Sequence, residues 1–237
     1  MIRRSHHIAC LATFLAAATD QGMMVVVASS DPSDAQVAPF GGTARVFTPD
    51  PIAIGIPTPG DPILIDISTS ITTAGMTARL KREGRRFPGA WALDAAGNPT
   101  DDPADVAAGS LLPAGGLDHG HKGTGLALMV EALTQGLSGY GRADGGAGWG
   151  ASVFVQVYDP ALFAGLAGFN RQTGWIADAV RASPARDPSC PVRLPGANAV
   201  AKLRRARRDG LALRHGLLSA LRPWAVRLGV APALADR

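Results

Sequence analysis

The chain has 237 residues, enough for one large domain or two small ones, and its 46% hydrophobic and 18% charged composition, with mean hydropathy +0.12, is that of a globular protein rather than a disordered or fibrous one. The formal charge of +4 is localised, because residues 202–237 hold nine Lys/Arg against two Asp/Glu while the other 201 residues hold fourteen against seventeen. A basic tail on a mildly acidic body weakens the case for a nucleic-acid surface spread over the whole molecule, and the KLRRARR run within it, on which a nucleic-acid-binding module would rest, is more often a solvated helix face.

Cys10 and Cys190 stand far apart, with no CxxC and no zinc-type His spacing, so neither a disulfide framework nor a bound metal is indicated and a reducing, cytoplasmic setting is expected. No apolar run reaches the length of about 18 residues that a membrane span needs.

Taken in chain order, MIRRSHH followed by IACLATFLAAA has two readings. It carries the charged start and short apolar run of a secretory signal, and it also reads as a helix over residues 6–20 that ends at Gly22. Residues 23–29 form a buried apolar strand, and SSDPSDAQVAPFGGT is a turn-rich crossing. PIAIGIPT and PILIDISTS, with alternating isoleucines and the turn PGD between them, have hairpin spacing. ITTAGMTARLKREGR predicts a helix, and WALDAAGNPTDDP predicts a surface loop.

LLPAGG leads into a glycine-rich turn in which glycines 115, 116, 120, 123 and 125 flank His119, His121 and Lys122 ahead of a helix. That helix, TGLALMVEALTQGL, has Leu126, Met129, Val130 and Leu133 on one face, which predicts a core-packing stripe. WGASVFVQVYDP alternates as a half-buried strand, FNRQTGWIADAVRAS is a helix, VRLPGA a short strand and turn, and 199–209 and 214–228 are helices. Strand pairs joined by short turns, without a βαβ repeat, predict an α/β fold of α+β character with a mainly antiparallel sheet flanked by helices. The expected division is a cofactor- and substrate-binding domain over 1–195 and a C-terminal helical segment over 196–237.

No GxGxxG follows a strand, and neither GxxxxGK[ST] nor GxSxG occurs, so a Rossmann domain, an NTPase loop and a serine hydrolase are unsupported. The segment around Lys122 offers an ammonium, closely approachable backbone and a helix N-terminus, which together suit the phosphate or ribose of a dinucleotide.

Read in order, SHHIA, SSDP…VAPFGG, FTPDPIAIGIPT, ILIDISTS, WALDAAGNPTDDP, LLPAGG…HKGTGLALMVEAL and VRLPG resemble the malate/L-lactate dehydrogenase family, which includes ureidoglycolate, sulfolactate and 2,3-diketogulonate enzymes and is not Rossmann-like. The match runs over nearly the whole chain and favours the helix reading at the N-terminus. It implies an antiparallel-sheet fold, a homodimer, NAD or NADP as cofactor, and hydride transfer to or from a small 2-hydroxy or 2-oxo acid, with no nucleic acid and no membrane as partner.

Residue by residue, the resemblance makes His7 the proton donor or acceptor at the substrate oxygen, a role that an imidazole with a pKa near about 6.5 suits. It gives Ser30, Asp66, Ile67, Ser68, Lys122 and Gly196 to the cofactor. The competing reading of Asp66 or Ser68 is a cap on the following helix. The pattern departs at Asp50, where an Asn usually precedes the proline, and at LDHG, inserted before His121. Family members also carry an N-terminal helical region with an SHG…R motif, and this chain is expected to begin after it. The alternative function is therefore a partial family remnant that folds or dimerises without turnover.

Overall fold

The computed structural model describes residues 1–145, 148–213 and 216–230. They divide into two compact units, Met1–Ala197 and Asn198–Arg237. In the first, β1 (Ile2–Ser5), β2 (Met24–Ser30), β3 (Ile52–Ile56), β4 (Ile63–Ile67) and the late strand β8 (Ala151–Tyr158) form one sheet in the order β1-β8-β2-β3-β4. Every neighbouring pair in it is antiparallel. A small antiparallel sheet, β6-β5-β7, is built from β5 (Ala92–Leu93), β6 (Pro99–Thr100) and β7 (Ser110–Leu111). The architecture is a mixed α/β fold with antiparallel sheets flanked by helices, as the hairpin spacing and the absence of βαβ units predict.

Strand alternation sorts the large sheet into two faces. Val25, Val27, Ala53 and Val153 meet Leu11 and Leu15 of α1 (Ala12–Thr19). Ala28 and Ile52, with Val26 and Phe154, meet Val130 of α3 (Gly116–Glu131) on the other side. Gly55 on β3 lets α1 approach closely, since a Cβ there would stand 2.8 Å from the Thr19 side chain and 3.1 Å from Leu15. Ala127, one turn before Val130, packs into a second core with Val37, Phe47, Leu111 and Leu80 of α2 (Ala74–Arg82), so α3 is shared between the two sheets. At the far edge, β4 packs through Ile63 against Ala177 of α4 (Leu166–Ala182) and Leu194. The second unit contributes α5 (Ala197–Asp209) and α6 (Leu217–Arg227), and none of its described residues is buried.

Four expectations are corrected. Residues 6–11 are not helical; β1 pairs with β8 instead, and the helix starts only at Ala12, beyond the left-handed Ala9. WALDAAGNPTDDP is not a plain loop, because its two ends pair as β5 and β6 around the Asp94–Gly97 turn. VRLPGA forms no strand of its own and is instead held to β4 by Leu64 N–H donating to the Pro195 carbonyl. The stripe on α3 is reversed: Val130 is buried, but Leu126 and Met129 are exposed, because the glycines and Ala127 supply the packed face. The predicted helix 214–228 is seen from Leu217, and residues 214 and 215 lie outside the described residues. Among the described residues, no helix is long and apolar enough to cross a membrane.

Candidate functional site

Antiparallel pairing brings the separated motifs to one end of the large sheet. Ser30 at the end of β2 pairs with Ser152 near the start of β8, and Ser5 at the end of β1 pairs with Ala151. Across the other edge, Ala28, Ile52 and Ile67 form one row, which puts the Asp50 turn before β3 and the Ser68 turn after β4 at that same end. His7 follows β1 there, and Trp149 precedes β8. The helix bearing Lys122 is anchored to this end by backbone: Ala114 N–H donates to the Thr69 carbonyl and Gly123 N–H to the Ala114 carbonyl.

His7 is exposed, with its ring edge-on to Trp149 at 5.3 Å between centroids, and its Nδ1 accepts from the Ala9 N–H at 3.2 Å. That bond leaves Nε2 as the nitrogen able to meet a ligand. Arg4 and Ala9, on either side of the histidine pair, both have left-handed backbone (φ 57 and 58), a conformation that non-glycine residues adopt at a cost.

Lys122 is exposed but does not sit in a turn before the helix. α3 begins at Gly116, so Lys122 lies in its second turn, after a local distortion at His119 (φ −126, ψ 19). The neighbouring glycines serve packing. A Cβ on Gly123 would lie 2.8 Å from the Thr69 carbonyl oxygen and closer still to Ala114 backbone, and one on Gly120 would lie 2.8 Å from the Phe40 ring. The glycine run therefore seats α3 tightly on the strand end, and Lys122 emerges one residue from that contact.

Asp66 and Ser30 point to opposite faces of the sheet. Asp66 pairs with Ala53 on the α1 side, where its Oδ2 accepts from the Ala12 N–H at 2.9 Å and from Cys10 Sγ at 3.1 Å. It thus caps α1, the helix that precedes it in sequence, rather than the one that follows. The Cys10 thiol is raised above its ordinary value, first by partial desolvation and then by the Asp66 hydrogen bond and charge. Ile67 is exposed beside it, and Ser68 Oγ donates to the Ser70 carbonyl at 2.9 Å. Gly196 adopts φ +85 against β4, where a Cβ would stand 2.6 Å from that of Leu64.

Ser30 lies on the α3 side, 2% exposed, inside a polar cluster that the motif reading did not contain. Its Oγ donates to Glu131 Oε1 and accepts from Gln135 Nε2, both at 2.8 Å. Arg142 donates twice to Glu131 Oε1, at 2.9 and 2.7 Å, and once to the Asp34 carbonyl at 2.6 Å, while its Nη2 stands 4.0 Å from Asp50 Oδ1. Thr48 Oγ1 donates to Asp50 Oδ1, and Asp50 Oδ2 is buried without a partner. Burial, then the Glu131 charge, push the Asp50 carboxyl up to about 7, against the lowering influence of Thr48, Ser30 and Arg142. No motif flags this cluster, because Arg142 sits in an ordinary glycine-rich stretch and Glu131 on an ordinary helix.

Two apolar clefts, of about 580 and 380 Å³, lie elsewhere and contain none of the expected site residues. Among the described residues, no group of three His, Cys, Asp or Glu could hold a metal ion.

The sequence matches the malate/L-lactate dehydrogenase family over residues 1–222. The chain belongs to that family. Among its relatives, the NADP(+) (2R)-3-sulfolactate dehydrogenase of Chromohalobacter salexigens is 34% identical, over 94% of this chain and 65% of its own length. The Δ1-pyrroline-2-carboxylate reductase of Pseudomonas fluorescens is 32% identical, over 94% of this chain and 66% of its own length. The solved malate dehydrogenase of Pyrococcus horikoshii superposes with a TM-score of 0.79 at 27% identity, covering 97% of this chain and 64% of that one. The chain thus spans just under two thirds of the length of these family members.

Proposed function

We propose that the chain takes part in NAD(P)-dependent oxidoreduction of a small 2-hydroxy or 2-oxo acid at this end of the sheet. The observation that carries the reading is that exposed His7, Ile67 and Lys122, from three distant motifs, lie at the same end of the large sheet, His7 after the edge strand β1 and Ile67 at the close of the opposite edge strand β4, within a fold shared with dehydrogenases of such acids. The residues present suit the cofactor. The Lys122 ammonium matches a phosphate, Ile67 offers an apolar surface, and the Ser68 and Gly196 turns leave backbone groups at the β4 edge. A bound nicotinamide supplies or accepts the hydride.

In this reading His7 Nε2 gives its proton to the substrate oxygen in reduction and takes it back in oxidation, with Nδ1 held by the Ala9 N–H so that the ring keeps its orientation. Asp66 acts on the cofactor side through the α1 start that it caps, and Ser30 through the segment that follows it.

A homodimer belongs to the same proposal. Leu126 and Met129 on α3, with Leu133 and Leu137 on the helical continuation beyond it, form one stripe, and Leu126, Met129 and Leu137 are exposed. A second reading is a family remnant that folds or dimerises without turnover. NADPH and NADH fluorescence titration, followed by assay against a panel of 2-oxo acids, tests both. Binding that weakens at least tenfold in Lys122→Ala, with turnover abolished in His7→Gln, supports the first reading. Binding without turnover on any acid supports the second, and unchanged affinity in Lys122→Ala overturns the assignment of Lys122.

A further inference from the structure

Two carboxyls and one guanidinium are buried together behind the site. Asp50 is 0% exposed, the Glu131 side chain 15% and the Arg142 side chain 23%. Arg142 is committed to Glu131 by two hydrogen bonds and reaches Asp50 only at 4.0 Å, which leaves Asp50 Oδ2 with no donor at all. A single cation already held by Glu131 does not also offset the fully buried Asp50 carboxylate, so Asp50 is the member of the cluster that keeps its proton. The direction of the Asp50 shift agrees with this.

The cluster also ties a particular piece of chain in place. Glu131 and Gln135, from α3 and its continuation, hold the Ser30 hydroxyl. Arg142 holds the Asp34 carbonyl, and its own N–H is accepted by Gln135 Oε1 at 2.7 Å. The other ionisable groups at the segment are engaged locally: Asp31 with Ser33, Asp34 with Gln36, and Asp144 with the Gly141 N–H. Only the Asp50–Glu131 pair therefore bears on whether Arg142 keeps its grip.

We propose that Asp50, Glu131 and Arg142 are positioning residues that lock the Ser30–Asp34 segment against α3 while Asp50 is protonated, and that release the segment when Asp50 ionises. With Asp50 charged, its carboxylate draws Arg142 away from Glu131 and the Asp34 carbonyl, and the segment loses that tie. The consequence for cofactor binding rests on the functional reading above; the latch itself does not.

The test is amide hydrogen exchange on the unliganded full chain between about pH 5.5 and 8.5, corrected for the intrinsic rate, in wild type, Asp50→Asn and Glu131→Gln. In wild type, protection of residues 30–36 should fall up to tenfold per pH unit through neutrality, the response of a single proton. Asp50→Asn should give a flat, protected profile, since it removes the carboxyl that ionises, and Glu131→Gln a flat, unprotected one, since it removes the charge that holds Arg142 at every pH; the pair guards against one variant failing to fold. A wild-type profile parallel to both variants, or a fall spread evenly over all strands, overturns the latch. NADPH titration over the same range separates the two ideas. Affinity that falls with pH in wild type but not in the variants joins the latch to cofactor binding. Absence of binding in every form sinks the cofactor reading and leaves the exchange profiles to decide the latch.

Discussion

At Asp50 the backbone takes φ +40, a left-handed conformation that Asn and Asp tolerate better than other non-glycine residues, and it drives the side chain inward where no solvent reaches. The sign of the stability effect follows. In the unfolded chain this carboxyl loses its proton near 3.8, whereas in the folded chain it holds the proton to about 7. Between these values the folded state binds more protons, so stability falls with rising pH by at most about 1.4 kcal/mol per unit. Below the window the residue costs nothing extra, and above it the full penalty applies. Asp50→Asn should therefore stabilise the protein by an amount that grows from pH 4 to 7 and then levels off, measurable from urea midpoints at several pH values; a pH-independent difference would sink the argument.

Two glycines of the Lys122 segment make a second pair at this scale. Gly123 packs directly on Thr69 and Ala114 backbone, so Gly123→Ala should cost about 1–3 kcal/mol or more, as overpacking does. Gly125 has nothing within 4 Å of a Cβ and lies in the helix, so Gly125→Ala should stabilise by up to about 1 kcal/mol. Denaturant curves on the two variants check both signs.

Among the elements, α1 shows a residue expected at a ligand also holding the scaffold. The helix has no side-chain cap from its own first residues, and Asp66 reaches across from β4 to accept its first N–H. Asp66→Ala should cost about 1 kcal/mol, the worth of a cap supported by the helix dipole. It should also speed the reaction of Cys10 with a disulfide reagent at pH 8, since the hydrogen bond and charge that raise the thiol are removed. An unchanged thiol rate would show that desolvation alone governs Cys10. On α3 the same logic runs the other way: the apolar stripe that periodicity assigns to the core faces outward, while small residues fill the contact between the sheets.

For the whole molecule, that outward stripe is where the dimer proposal is decided. Met129→Glu places a charge in the middle of the stripe without touching the buried face, so sedimentation should show monomers with the monomer's circular dichroism unchanged. Persistence of a dimer would move the interface elsewhere. Much of the scaffold was legible beforehand. The isoleucine alternation of 52–56 and 63–67, the valines of β2 and the periodicity of α2 and α4 each specify an element locally, and the short PGD turn makes the first two neighbours. That His7, Ile67 and Lys122 are candidates at all was legible only through motif order and the family resemblance. The buried cluster was not legible, because Ser30, Asp50, Glu131 and Arg142 are spread over more than a hundred residues and neither Glu131 nor Arg142 carries a local signal.

What the sequence by itself determined were the local periodicities, the turns and the order of the motifs, since these depend on neighbours a few residues apart. Which way α3 turns, which sheet face Asp66 and Ser30 share with what, and which carboxyl is buried with one oxygen lacking a hydrogen-bond partner were decided only by the tertiary structure. The physical reason is that burial and desolvation are properties of the assembled packing, and a side chain's charge state depends on every segment folded around it.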